Sequence, residues 1–231
     1  SRSGIGSSSA LTVGLISSLS ALVKSEFLGR TKLARLAIEI EQNDIGETIG
    51  VQDQCASAFG GLVHITADKE GIKPKRFLVR KEYQSYIESS LLMGFTGRSR
   101  FSSVASNKVN KALKAEKNIN RLEELHEISQ KGIEAFGNEA DIQENALLTK
   151  ECRDVKLALN EDRNDPGLME LIEESEKAGS LCTRIMGAGG GGFFLCWAPE
   201  YKHEAIKKKI NVKTWVKVKI SSTGSQVIFS E

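Results

Sequence analysis

The sequence contains few of the residues that metal sites and disulfide frameworks require. Its 231 residues include four cysteines and three histidines, and no two cysteines have the C-x-x-C spacing that is typical of zinc sites. We therefore expect the cysteines to be reduced and mostly buried, as in a cytoplasmic protein, rather than to bind a metal.

The sequence also lacks an excess of charge of either sign and a long uninterrupted apolar run. The 32 basic and 30 acidic residues leave a net charge of +2, which favours neither nucleic acid nor a membrane surface as a partner. The apolar stretch 10–23 contains serine and glycine and follows no basic segment, so it predicts neither a membrane span nor a signal peptide. With 40% hydrophobic residues, the chain can form a core in one large or two small domains.

What the sequence does contain is a glycine-serine loop directly before leucines at helical spacing. The loop consists of Gly4, Ile5, Gly6, Ser7, Ser8 and Ser9. Small residues leave backbone N–H groups accessible, and the positive end of the following helix points at the same place, so the loop predicts a phosphate-binding site. A flexible linker or a turn with a serine N-cap is the alternative, since no Gly-Lys-Ser/Thr follows and Ala10 replaces the last dinucleotide-binding glycine.

An acidic residue lies on the apolar face of the second predicted helix, over about 31–44. At about 100° per residue, Glu39 lies opposite the middle of the apolar arc, whereas Glu41 falls inside it. A buried carboxylate requires a cation or several hydrogen-bond donors, which makes Glu41 a candidate metal ligand or partner of a base. An ion-paired glutamate at the edge of the face is the alternative.

Further candidate residues follow along the chain. The segment Gln52-Asp53-Gln54 begins a short predicted helix that ends at Gly60-Gly61. Five glycines within 187–192 separate two predicted strands, which is more than a hairpin requires and indicates a closely approaching backbone or ligand. Arg98 and Arg100 lie in a loop after a strand, where a guanidinium could bind phosphate at two points; a surface ion pair is the alternative.

The rest of the pattern predicts mixed helices and strands. Helical periodicity covers 8–24, 31–44, 103–136, 139–160, 166–178 and 200–209. Alternating or short apolar runs predict strands at 62–66, 75–79, 91–95, 182–186, 193–197, 215–220 and 226–229. The charged residues 80–82 are typical of a linker.

In their order and spacing, these motifs resemble the GHMP small-molecule kinase superfamily of galactokinase, homoserine kinase, mevalonate kinase and phosphomevalonate kinase. The resemblance rests on the loop at 4–10, Glu41, the segment 50–54 and the glycines at 187–193. Within the superfamily, the chain is most similar to the heptose phosphate kinases, over 49–61, 95–97, 100–101, 186–194 and 224–228.

The resemblance implies an α+β protein with the two-domain GHMP kinase fold. The expected domains are the remainder of an ATP-binding domain with a left-handed βαβ unit, residues 1–86, and a ferredoxin-like C-terminal domain, residues 87–231. Members of the family begin with a further N-terminal portion. We therefore expect the chain to correspond to the C-terminal two thirds of an enzyme, with that segment supplied in cis or as a separate chain.

The resemblance also implies roles for individual residues. The phosphates of ATP are expected to contact Gly4, Ile5, Gly6, Ser7, Ser8 and Ser9. Ser8, with Ser7 as the alternative, and Glu41 are the expected Mg²⁺ ligands. Asp53 is expected to face the acceptor hydroxyl as a general base or as an orienting carboxylate. The acceptor is expected to contact Gln52, Arg100, Gly187, Gly189 and Gly190.

The activity implied is that of an ATP- and Mg²⁺-dependent sugar 1-kinase, which phosphorylates the anomeric hydroxyl of a heptose 7-phosphate to give the 1,7-bisphosphate. The alternatives are a kinase for another sugar, such as fucose or an octose phosphate, and a non-catalytic nucleotide- or sugar-binding module. The expected partner is a small sugar phosphate in the cytoplasm, with no nucleic acid and no membrane. A homodimer is compatible with the resemblance.

Overall fold

The fold is given by a computed structural model, which describes residues 4–24, 28–47, 49–98, 118–159, 165–187 and 190–229. Contacts divide the chain into two compact units. The first comprises Ile5–Leu78 together with 220–229, and the second comprises Gly4 and Val79–Lys219. The division after Leu78 precedes the expected limit at residue 86, and the domain limits themselves stay predictions.

The described part of the first unit contains three α-helices and a hairpin. These are α1 (Ser7–Lys24), α2 (Arg30–Glu39), α3 (Gln52–Phe59), β1 (Leu62–Asp68) and β2 (Gly71–Phe77). A π-helical turn, Ile40–Asp44, follows α2 directly. Small side chains among the buried residues let the helices pack closely around one core. This core is formed by Val13, Leu33, Ala34, Ala37, Ile38, Cys55, Ala58 and Phe59.

The hairpin contains a proline within a strand. β1 and β2 are antiparallel, with Pro74 opposite Ile65. Proline has no N–H for a sheet hydrogen bond, but these strands form a two-stranded sheet, so each has an edge on which no partner is required. The predicted strand at 75–79 therefore starts too late, because Pro74 does not end the observed strand.

The second unit contains a four-stranded antiparallel sheet in the order β4-β5-β3-β6. Its strands are β3 (Leu91–Phe95), β4 (Cys182–Ile185), β5 (Phe193–Trp197) and β6 (Thr214–Lys217). Its described helices are α4 (Lys81–Ser89), α5 (Ile119–Gly137), α6 (Ile142–Ala158), α7 (Pro166–Lys177) and α8 (His203–Lys209), the last preceded by a 3₁₀ turn at Glu200–Lys202. Its sheet core is formed by Leu92, Phe194, Cys196, Ala198, Ile206 and Ile210.

Two sequence-based assignments are wrong. The charged segment at 80–82 is not a linker but leads into α4, whose residues Tyr83 and Ile87 are buried one turn apart. The strand expected at 226–229 is absent from the described chain, where these residues are neither helix nor strand. For the helix expected at 103–136, the described part begins at Ile119.

The predicted α+β class is confirmed. A search of the described helices found none long and apolar enough to cross a membrane.

Candidate functional site

The glycine-serine loop leads directly into α1. Gly4 and Gly6 have φ angles of 77° and 70°, a backbone conformation that glycine adopts readily and other residues rarely do. The Ala10 N–H donates to the Gly6 carbonyl oxygen at 2.9 Å, which closes the first helical turn. The preceding N–H groups, at 7–9, have no partner within the helix. Together with the helix dipole, they make this end of α1 suited to a phosphate.

The three serines of the loop lie in different environments. Ser8 is exposed and Ser7 is half-buried, whereas Ser9 is only 4% exposed. The Ser9 hydroxyl donates to Oε2 of Glu41 at 2.9 Å. The described hydrogen bonds of Glu41 do not include Ser8, so the role of Ser8 as a metal ligand stays a prediction.

Glu41 lies in the π-helical turn and is 1% exposed. Glu39 is exposed, so the expectation that one carboxylate faces solvent and the other the interior is confirmed. Besides Ser9, the Thr12 hydroxyl donates to Glu41 Oε1 at 2.7 Å, and the Gln54 Nε2 group donates to Oε2. None of the ion pairs among the described residues includes Glu41. Its charge is compensated there by donors from α1 and α3, which orient both carboxylate oxygens.

Asp53 lies in the first turn of α3 and contacts the glycine-serine loop. A Cβ atom on Gly6 would lie 2.9 Å from Cγ of Asp53, so the loop backbone and this carboxyl group touch because residue 6 has no side chain. Solvent reaches the Asp53 side chain. Nevertheless, partial burial and, secondarily, the negative charge of Glu41 raise its pKa above the ordinary 3.8. The structure thus brings Asp53, Gly6, Ser9 and Glu41 into one site in the first unit.

Two glutamines flank Asp53 and differ in environment. Gln52 is exposed, and its side chain lies over Gly50, where a Cβ atom would be 2.2 Å from the Gln52 Oε1 atom. Gln54 is fully buried, and its Oε1 atom accepts no hydrogen bond from the described residues. A buried amide oxygen without a donor is energetically costly. Gln54 therefore offers an unused hydrogen-bond acceptor beside Glu41.

The residues fit the Mg²⁺ ion that the resemblance implies, although a protein-only cage is not formed. No group of three His, Cys, Asp or Glu side chains within the described ranges could hold a metal ion. Mg²⁺ usually binds one or two protein carboxylates and takes its other ligands from water and phosphate oxygens. One oriented carboxylate without a cationic partner in the described chain, Glu41, meets that requirement.

The glycine run of the second unit makes close backbone contacts. Gly187, with a φ angle of 64°, leaves room for Gly4: a Cβ atom at 187 would lie 3.0 Å from the Gly4 Cα and O atoms. The Gly192 N–H donates to the Arg98 carbonyl oxygen at 2.8 Å, and the Gly192 carbonyl accepts from the Thr96 N–H at 2.9 Å. The expected close approach of another backbone is therefore observed, and a side chain at position 187 would crowd Gly4 and strain the backbone.

The expected acceptor contacts are only partly described. Gly187 and Gly190 are described, whereas Arg100 and Gly189 lie outside the described residues. The neighbouring Arg98 forms an ion pair with Asp165, the N-cap of α7, at 2.8 Å. For Arg98, the structure thus favours the ion pair that was the alternative interpretation.

Sequence reasoning missed the donors that hold Glu41. Thr12 was not singled out, and Ser9 was considered only as a phosphate contact. Both lie on the face of α1 that also buries Val13 and Ile16. Hydroxyl residues three positions apart on a buried helix face were the available signal, since such groups require hydrogen-bond partners.

Two models of one protein family match the chain. The model of the GHMP kinases N-terminal domain matches residues 1–61, and the model of the GHMP kinases C-terminal domain matches residues 125–216. Together they cover about two thirds of the chain. The galactokinase of Lactococcus lactis, solved with galactose, has the same fold: its TM-score is 0.70 at 19% identity, over 98% of this chain and 68% of that one. The expected two-domain fold of this family is confirmed.

The curated relatives fall into two kinds. The D-glycero-alpha-D-manno-heptose 7-phosphate kinase of Campylobacter jejuni is 31% identical over 221 residues, which are 90% of this chain and 61% of that protein. The mevalonate kinase of Pyrococcus abyssi is 27% identical over 238 aligned residues, which cover 97% of this chain and 64% of that protein. The chain thus spans a little less than two thirds of the length of these relatives.

Proposed function

The chain belongs to the GHMP kinase family, and we propose that it supplies most of the active site of an ATP-dependent sugar 1-kinase. The proposed acceptor is the anomeric hydroxyl of a heptose 7-phosphate, and the product is the 1,7-bisphosphate. The heptose 7-phosphate kinase of Campylobacter jejuni, at 31% identity, supports this acceptor. The proposal concerns the complete protein in a reducing, cytoplasmic environment, which the four free cysteines support.

The observation that carries the proposal is the contact between Asp53 and Gly6. Phosphoryl transfer requires the acceptor hydroxyl to lie in line with the phosphate that is transferred, so a group that acts on the hydroxyl must stand beside the phosphate site. The loop at 4–9 offers backbone donors for the ATP phosphates, and Asp53 lies against it. A carboxyl group with a raised pKa retains a proton more readily, which suits a base or an orienting acceptor of the hydroxyl proton.

Mg²⁺ would be held by Ser8 and Glu41. When bound, the ion would neutralise charge on the phosphates during transfer. The chain's own contribution is orientation: Ser9, Thr12 and Gln54 hold both oxygens of Glu41 through hydrogen bonds. Glu41 therefore needs little reorganisation to act as a ligand, which is the basis of electrostatic preorganisation.

Contacts with the acceptor are proposed for five residues. Gln52 and Arg100 would bind hydroxyl or phosphate oxygens of the acceptor, and Gly187, Gly189 and Gly190 would let it approach the backbone. A guanidinium suits a phosphorylated acceptor because it can donate two parallel hydrogen bonds to one phosphate group.

Mevalonate is a second candidate acceptor, supported by the mevalonate kinase of Pyrococcus abyssi at 27% identity. An acceptor screen with the complete protein distinguishes the two. We expect ATP consumption with heptose 7-phosphate, and NMR of the product should show a new phosphate at the anomeric carbon. Turnover only with mevalonate, or only with fucose or an octose phosphate, would replace the heptose assignment.

The role of Asp53 is tested by Asp53→Asn in the complete protein. We expect turnover to fall at least about a hundredfold, since general-base assistance is worth about 10²–10⁴-fold, while ATP affinity changes little. Steady-state kinetics and ATP titration measure the two quantities. The matched control is Asp68→Asn in the β1–β2 hairpin, which should keep normal turnover. If Asp53→Asn retains normal turnover, Asp53 does not act on the acceptor hydroxyl. If the unmodified protein binds ATP but transfers no phosphate, a non-catalytic binding module is the better description of the protein.

A further inference from the structure

The last described segment of the chain, residues 220–229, contacts the C-terminal end of α3. The Ser225 N–H donates to the Ser57 carbonyl oxygen at 2.8 Å, and the Gly61 N–H donates to the Ser221 carbonyl oxygen at 2.6 Å. The last carbonyl groups of a helix have no partner within it. This C-terminal segment therefore supplies a donor to the end of α3 and also accepts a hydrogen bond from Gly61, the second residue after that helix.

The contact between the two backbones leaves no room for side chains. A Cβ atom on Gly60 would lie 2.2 Å from the Thr223 carbonyl carbon, and a Cβ atom on Gly224 would lie 2.2 Å from the Ala58 carbonyl oxygen. Atoms at such distances overlap, so any side chain at position 60 or 224 would force the C-terminal segment and α3 apart. The φ angle of Gly224 lies outside the positive range, so its backbone conformation does not require glycine. The requirement for glycine at position 224 comes from the close contact with Ala58.

A side chain from the hairpin adds a third connection. Nη2 of Arg76 in β2 donates to the Ser222 carbonyl oxygen at 2.5 Å. The C-terminal segment is thus joined to α3, to Gly61 and to β2.

Ser57, whose carbonyl oxygen accepts a hydrogen bond from the C-terminal segment, lies one helical turn from Asp53. α3 has eight residues, and at about 1.5 Å rise per residue Asp53 and Ser57 are about 6 Å apart along its axis. At the other end of the helix, Gln54 is bonded to Glu41 and Asp53 contacts Gly6. Because α3 is short and held at both ends, a displacement at Ser57 or Ala58 would move the carboxyl group of Asp53 with it.

We propose that the C-terminal segment, through Gly224, is a positioning element for Asp53. This inference rests on the proposed function, in which Asp53 acts on the acceptor hydroxyl. Neither the glycine nor the segment touches the reacting groups, so Gly224 is a positioning residue.

Gly224→Ala in the complete protein tests the inference. Because a misplacement of about 1 Å can cost about 10²-fold in rate, we expect kcat to fall about a hundredfold, while KM for ATP stays within about twofold. Hydrogen exchange should become faster over 52–59 and stay unchanged in the second unit. The matched control is Gly132→Ala in α5, where a Cβ atom meets no atom within 4 Å. Its kcat and its exchange over 52–59 should equal those of the unmodified protein.

Arg76→Gln is the second variant, which removes a partly exposed side chain and should fold even if Gly224→Ala does not. It should show the same changes to a smaller degree. Normal kcat and normal exchange over 52–59 in the folded variants would overturn the inference, as would a rise in KM for ATP with unchanged kcat. If the unmodified protein transfers no phosphate at all, the proposed function fails, and exchange over 52–59 alone decides whether the segment holds α3.

Discussion

At the scale of single residues, the two carboxyl groups of the first unit are held in different ways. Glu41 is buried and receives hydrogen bonds from Ser9, Thr12 and Gln54. Asp53 is reached by solvent, and burial together with the charge of Glu41 raises its pKa. Both oxygens of Glu41 are thus held by neutral donors, whereas the ionised form of Asp53 is destabilised. This difference matches a fixed ligand for a cation and a group that can accept a proton.

Two serines of the loop, Ser8 and Ser9, test whether the carboxylate of Glu41 is held by the observed hydrogen bond from Ser9. Ser9→Ala removes a hydrogen bond to a buried carboxylate, which should lower the free energy of unfolding by about 1–3 kcal/mol. Ser8→Ala changes an exposed side chain and should alter it by less than about 0.5 kcal/mol, while raising the Mg²⁺ concentration required for half-maximal turnover. Urea unfolding and Mg²⁺ titration of the complete protein measure these effects. Equal loss of stability in both variants would contradict the observed environments.

The raised pKa of Asp53 predicts a pH-dependent cost in stability. The native state binds the proton of the Asp53 carboxyl group more tightly than the unfolded chain does. The free energy of unfolding therefore falls as the pH rises from about 3.8 through the native pKa of Asp53, and below about pH 3.8 this loss of stability is absent. Asp53→Asn should therefore raise the melting temperature at neutral pH, with a gain that fades toward about pH 4.

Asp68 is expected to have the opposite effect on the pH dependence of stability. A hydrogen bond from Lys73 lowers the pKa of Asp68, so Asp68 stabilises the native state above about 3.8, and this contribution is lost as the pH falls through its native pKa. Asp68→Asn should lower the melting temperature at neutral pH. Thermal unfolding of both variants between pH 3 and 8 checks the two signs, and a gain of the same sign in both would contradict the argument.

At the scale of elements, close packing in the sheet of the second unit depends on one glycine. Gly94 in β3 pairs with Phe194 in β5 and Trp215 in β6. A Cβ atom at position 94 would lie 2.4 Å from Phe194 Cζ and 3.0 Å from Trp215 Cζ3. The two rings, whose centroids are 5.5 Å apart at 79°, occupy the space that a side chain would need.

Gly94→Ala should therefore lower the free energy of unfolding by about 1–3 kcal/mol, the usual cost of overpacking. Gly132→Ala, which meets open space on α5, should leave it unchanged or raise it by up to about 1 kcal/mol, because alanine is the better helix former. Chemical denaturation compares the two variants. A destabilisation by Gly132→Ala equal to that by Gly94→Ala would show that the ring contacts do not determine the cost.

Elements were predictable where the local signal was strong. α1, α3, β3 and β5 lie within one or two residues of their expected positions. Helical spacing indicates α1, a terminal glycine pair bounds α3, and short apolar runs indicate β3 and β5. α4 was missed because its charged first residues resemble a linker, although Tyr83 and Ile87 have helical spacing. The strand predicted at 75–79 begins after Pro74, whereas Pro74 lies inside β2, where pairing in a two-stranded sheet explains why a proline is tolerated.

At the scale of the whole molecule, the first unit is built from two distant parts of the chain. Residues 220–229, which follow the second unit in the sequence, contact α3 of the first unit. The sequence pattern assigned a strand to 226–229, since a short apolar run predicts one. The described structure instead shows a segment without sheet pairing whose Gly224 touches α3.

The sequence by itself determined the mixed α and β class, the family resemblance and the candidate residues Gly6, Glu41 and Asp53, because glycine requirements, helical spacing and motif order are local properties. Only the tertiary structure decided which groups meet: Ser9 rather than Ser8 bonds to Glu41, and Asp53 lies against Gly6. Such contacts join residues more than 30 positions apart. They depend on how three helices pack, which no local pattern encodes.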